Sequence, residues 1–107
     1  MPVIRIDYDN EKVNDKDILG LSNAVQKIVS ETTKIEDVFV YANSSQIKVK
    51  IAPIEIFIQM SAHKVKDADE LVQDIKSRLS DWKKEAGFTY LINFTFIPMQ
   101  WKIEIGI

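Results

Sequence analysis

The residue with the most chemical potential is the second one. In Met1-Pro2-Val3-Ile4-Arg5-Ile6-Asp7-Tyr8, removal of the initiator methionine would leave Pro2 with a free secondary amine. Inside a chain a proline nitrogen is an amide with no proton to donate, so only at the terminus does it become a base or a nucleophile. A retained Met1 would acylate the nitrogen and abolish that chemistry, leaving an ordinary strand start. The rest of the reactive inventory is thin. With no cysteine in the chain, thiolate chemistry, disulfides and Cys/His zinc sites are excluded, and neither a metal nor another cofactor is expected. The one histidine, His63, lies among Ser61, Ala62 and Lys64 and reads as an exposed loop side chain without a second ligand.

The elements that must hold Pro2 follow from periodicity. Val3 to Tyr8 alternates, with Ile4, Ile6 and Tyr8 on one face and Val3, Arg5 and Asp7 on the other, the pattern of a half-buried strand. Asn14 is a good helix N-cap, and Ile18, Leu21, Val25, Ile28 and Val29 then recur at helical spacing, which predicts a helix from Asp15 to about Glu31. Asp37 to Tyr41 is a β-branched and aromatic strand. After Asn43-Ser44-Ser45, the alternation of Ile47, Val49 and Ile51 with Lys48 and Lys50 predicts the second arm of a hairpin, its lysines in water. Pro53 breaks the ladder, and Ile54 to Met60 is apolar enough for a central strand.

Asp67 with Glu70 makes a capping box before the stripe Ala68, Leu71, Val72, Ile75, Leu79, Trp82 and Ala86, and Gly87 suits the position just past the helix end. Thr89 to Ile97 reads as a strand ended by Pro98. The tail Trp101 to Ile107 alternates large apolar residues with polar ones or glycine, so it should be docked, either as an edge strand of its own sheet or against another copy of the chain.

Composition narrows the partners. The chain of 107 residues is long enough for one domain, 1–107, with its own core. The lack of disulfides fits the cytoplasm. Arg5 and Asp7 within the short first segment make it neither a signal peptide nor a membrane span. A net charge of −2 with interleaved signs offers no stripe for a phosphate backbone, so neither nucleic acid nor membrane is an expected partner.

The order strand, helix, strand occurs twice, offset by roughly fifty residues. Two βαβ units with right-handed crossovers place both helices on one face of a four-stranded mixed sheet. The fold expected is therefore α+β, a duplicated β-α-β of ferredoxin-like kind, with short extra strands from the hairpin arm and the tail. The other sheet face, carrying Val3, Arg5, Glu55, Phe57, Leu91 and Thr95 by parity, is too apolar for water and calls for another subunit.

On these features the chain resembles the tautomerase superfamily over nearly its full length. The resemblance rests on the Met-Pro start running straight into a strand, on the duplicated plan, and on two local matches. Thr33-Lys34-Ile35-Glu36-Asp37-Val38-Phe39-Val40 is similar to the lysine-bearing helix-to-strand junction of the family's migration-inhibitory-factor branch, and Leu91-Ile92-Asn93-Phe94 to a late strand that gives an asparagine to the site. The segment from Pro53 to Met99 resembles a small bacterial branch.

The resemblance implies a homotrimer whose sites combine the proline of one subunit with residues of its neighbour. It also implies proton transfer next to a carbonyl, with Pro2 as general base on a small carbonyl acid such as an arylpyruvate. A terminal amine titrates near 7.7–8.0, and apolar surroundings such as Val3 or a cation such as Lys34 would lower that value. Lys34 then reads as a carboxylate or enolate partner, or as one more solvated lysine; Asn93 as a carbonyl donor, or as an interface residue. Arg5 reads as a ligand of an acid substrate, or as the ion-pair partner of Glu55. Ser61 and Trp101 line the pocket, or serve core and interface. The only other arginine, Arg78, lies on a solvated helix face, which argues against dicarboxylates. The alternative to catalysis is a trimeric module that keeps the fold for binding alone.

Overall fold

Alternation in the first and third strands decides where the core lies. Ile4 and Ile6 of β1 (Val3–Tyr8) and Ile54, Ile56 and Ile58 of β3 (Ile54–Ser61) are all buried on one side of the sheet. Against them pack Leu21, Val25 and Val29 of α1 (Asp15–Thr33) and Ile75 and Leu79 of α2 (Ala68–Ala86). Each such side chain contributes about 1.5–3 kcal/mol when fully buried, so this one layer holds both helices to the same face. The computed structural model describes Met1–Ile107. Adding β2 (Phe39–Asn43) and β4 (Asn93–Met99) gives the order β2-β1-β3-β4. β1 and β2 are parallel, β1 and β3 antiparallel, and β3 and β4 parallel. The duplicated β-α-β plan is therefore present as read. No helix is long and apolar enough to cross a membrane.

The helix ends follow their local chemistry. Asn14 accepts from the Asp17 amide at 2.8 Å, and Asp67 accepts from the Glu70 amide at 3.1 Å. Each satisfies an amide that the first helical turn leaves without a partner. Gly87 closes α2 in the left-handed region at φ 66°. Arg78 bonds Asp74 on its own helix at 3.0 Å and Glu31 on α1 at 3.3 Å. Both pairs are half in water, so each is worth at most about 1 kcal/mol.

Three expectations fail, the first two for want of a partner strand. Ile47 to Ile51 forms no hairpin arm, and its two-sided pattern is lost: Ile47 and Val49 are 91% and 101% exposed, and of the two lysines only Lys50 is exposed as expected. Lys48 instead turns inward, its ammonium donating to Asp9 Oδ1 at 3.0 Å and Asn10 Oδ1 at 2.7 Å. Asp9 is a buried carboxylate, and the cost of burying an unpaired charge outweighs the preference for lysine in water. The tail beyond Met99 adds no strand to its own sheet, so the short extra strands do not form. β4 begins at Asn93, leaving Leu91 in the preceding loop, and it runs through Pro98. An edge strand tolerates proline because its outer side has no ladder to lose.

Candidate active site at one end of the sheet

The right-handed crossovers bring several segments to the end of the sheet where β1 begins. Val3 lies beside Phe39 at the start of β2, and the Phe39 amide donates to the Pro2 carbonyl at 3.2 Å. β3 runs the other way and finishes there with Ser61, and β4 finishes there with Met99, just before Trp101. The C-terminus of α1, ending at Lys34, returns to the same end to feed β2. Pro2, Lys34, Ser61 and Trp101 are thus collected by topology, although widely separated in sequence.

Pro2 is less than 2% exposed, and with Met1 attached its nitrogen is an amide. Lys34 is exposed and ends α1 at φ 60°, the only non-glycine residue with positive φ. It lines a groove of about 390 Å³ with Lys64, Lys66, Asp67, Glu70 and Asp74. Three cations face three carboxylates there, so the groove has no net sign. His63 lies exposed in the short 3₁₀ turn Ala62–Lys64. Ser61 is buried, and the Trp101 indole Nε1–H donates to its Oγ at 2.5 Å.

Two site residues lie elsewhere. Asn93 sits in the row Asp7, Glu55, Asn93 across the sheet, four residues along β1 from the Val3 row. At about 3.3 Å per residue this is roughly 13 Å from the Pro2 end, so one chain does not bring Asn93 to Pro2. Its amide donates to Glu55 Oε1 at 3.2 Å. Arg5 is a correction to the expected Arg5–Glu55 pair. Its Nε donates to Asp7 Oδ2 at 3.1 Å, and its guanidinium lies 4.5 Å from the Phe57 ring centroid. Antiparallel pairing reverses the order of β3 against β1, which sets Phe57 rather than Glu55 opposite Arg5.

The sheet face away from the helices carries Phe39, Tyr41, Arg5, Phe57 and Thr95, with Phe39 and Tyr41 44% and 58% exposed. Ionisation is perturbed at the other end of the sheet. The Lys48 ammonium and the Glu11 amide hold the Asp9 carboxyl below the ordinary carboxylate range. The Tyr8 hydroxyl, donating to Asp15 Oδ1 at 2.7 Å, is pushed above the ordinary phenol range by that bond and by burial. Sequence reading missed both the Lys48–Asp9 latch and the Trp101–Ser61 bond. The one local hint was a tryptophan opening a tail with no strand partner of its own.

No family model and no curated protein matches the chain in sequence. Solved structures do match in shape. Malonate semialdehyde decarboxylase superposes with a TM-score of 0.69 at 9% identity, covering 98% of this chain and 92% of that one. A 5-carboxymethyl-2-hydroxymuconate delta-isomerase gives 0.64 at 9% identity, covering 99% and 89%. A fused 4-OT, solved as an asymmetric trimer, gives 0.64 at 10% identity, covering 91% and 85%. These neighbours are tautomerase-superfamily proteins, and at such identities the likeness is one of fold: this chain has the tautomerase-type β-α-β fold.

Proposed function

We propose that the chain, once Met1 is removed, is a keto-enol tautomerase in which Pro2 is the general base on a small carbonyl acid such as an arylpyruvate. The observation that carries the reading is the position of Pro2, buried at the head of β1 at the sheet end where Lys34 and Ser61 also gather. A free amine in that place would be desolvated, which disfavours its protonated form and keeps a fraction basic at neutral pH. Lys34 is the group for the substrate carboxylate. Asn93 serves from a neighbouring copy, because within one chain it lies at the far end of the sheet. Arg5, held by Asp7 and stacked on Phe57, is read as structural.

This reading takes the whole chain as one domain, the assembly as a homotrimer and the location as cytoplasmic. The trimeric fused 4-OT of the same fold supports oligomerisation. Decarboxylase and isomerase neighbours support carbonyl-acid chemistry. The second reading is a trimeric module that keeps the fold for binding without catalysis. Labelling decides between them. An electrophile that alkylates amines should modify trimmed protein at Pro2 and abolish turnover of phenylpyruvate in proportion. Full labelling with turnover intact would exclude Pro2 as the base, and trimmed, unlabelled protein that turns over no phenylpyruvate would leave the binding module.

A further inference from the structure

Ser61 is 6% exposed, at the last position of β3. It accepts the Trp101 indole proton and donates no hydrogen bond of its own. A serine hydroxyl has one proton to give and two lone pairs to fill, so a nearly buried donor is left unused. Its position gives that donor a target. The β1–β3 register sets Val3 opposite Gln59. Met1 and Pro2 lie just outside the paired strand; carried two residues further, the register would set Met1 opposite Ser61, on the sheet face that Gln59 and Phe57 share. Neighbouring strands are about 4.8 Å apart, so a continued register would bring Ser61 to within one strand spacing of the Met1–Pro2 peptide bond. Trimming Met1 vacates the place opposite Ser61 and leaves the amine at its edge.

We infer that Ser61 donates to the substrate's carbonyl oxygen during tautomerisation at Pro2, and that Trp101 is the positioning residue that holds and polarises it; the inference rests on the proposed role of Pro2. In the step, the amine takes a proton from the carbon next to the carbonyl. The C–H electron pair becomes the C=C bond, and the carbonyl π pair moves to oxygen. Charge grows on that oxygen as the Ser61 hydrogen bond to it strengthens, and the proton on Pro2 is then returned to the oxygen to give the enol. Nothing is oxidised or reduced. Accepting the indole proton makes the Ser61 O–H a stronger donor, since linked hydrogen bonds polarise one another, and a donor aimed where charge develops lowers the barrier.

The experiment uses trimmed full-length protein and phenylpyruvate. Ser61→Ala should lower kcat about 10²-fold while KM changes little, and Ser61→Thr, which keeps the hydroxyl, should recover most of the loss. Trp101→Phe should lower kcat about 10-fold. The Trp101 indole N–H resonance should move on adding phenylpyruvate to wild type and stay still in Ser61→Ala. This spectroscopic arm reports on contact through the hydroxyl, which a purely structural serine would not give. Active trimmed protein whose kcat is unchanged by Ser61→Ala, or whose indole resonance ignores phenylpyruvate, overturns the inference alone. Inactive trimmed wild type overturns the role of Pro2 and this inference with it.

Discussion

Lys34 and Gly87 end the two helices in the same left-handed backbone conformation, at φ 60° and φ 66°. Glycine adopts it freely, whereas a residue with a Cβ is strained there by about 1–2 kcal/mol. The first unit thus keeps a lysine where backbone preference alone selects glycine. Strain of this kind clusters at functional sites, which makes Lys34 a residue to test.

Lys34→Gly should therefore raise stability by about 1 kcal/mol while reducing turnover, chiefly through KM, because it removes the proposed partner of the substrate carboxylate. Urea unfolding and steady-state kinetics read the two effects separately. A gain in stability with unchanged kinetics would make Lys34 one more solvated lysine. Gly87→Ala is the control. A Cβ there meets nothing within 4 Å, so the backbone cost of about 1 kcal/mol appears unmixed with a clash.

Lys48 bonded to Asp9 makes stability depend on acid. The Asp9 carboxyl is held below its ordinary value, first by the Lys48 ammonium and then by the Glu11 amide. Its unfolded form, near 3.9, takes up a proton before the folded form does. The contribution is fully present above that value and is lost as pH falls through the lower folded one. Lys48→Met should unfold at lower urea than wild type at pH 7, and the gap should shrink by pH 3. An equal gap at both pH values would mean that the latch stabilises without its charge.

The sheet face bearing Tyr41 is the expected subunit contact. Tyr41 is 58% exposed in the isolated chain, so Tyr41→Arg should leave the protomer folded while breaking the assembly. Light scattering should give a trimer for wild type and a monomer for the variant. Chains that retain Met1, mixed with trimmed Asn93→Ala chains, should regain part of the activity if sites combine two copies. A monomeric wild type removes the basis for both expectations.

The fold was legible because its determinants are local. Ile4 and Ile6 alternate with polar neighbours, Asn14 and Asp67 precede apolar stripes, and Gly87 follows one. Each reading rests on a few consecutive residues. What failed depends on pairing across the chain. Whether Ile47 to Ile51 becomes a strand is decided by a partner that does not arrive and by Asp9, which lies 39 residues from Lys48. The partner of Arg5 follows from antiparallel register, which composition does not encode. At the site, Pro2 was legible from its place behind Met1, whereas the Trp101–Ser61 bond joins positions 40 residues apart and leaves no periodic trace.

The most direct measurement compares turnover of phenylpyruvate by two preparations of otherwise identical protein, one with Met1 retained and one trimmed to Pro2, each verified by intact mass. The trimmed protein should turn over, with a rate that falls as pH drops through the pKa of the Pro2 amine, because the protonated amine cannot accept a proton. The Met1-retained protein should be inactive at every pH. Equal turnover by the two forms would contradict the account, since an amide nitrogen at Pro2 cannot be the base.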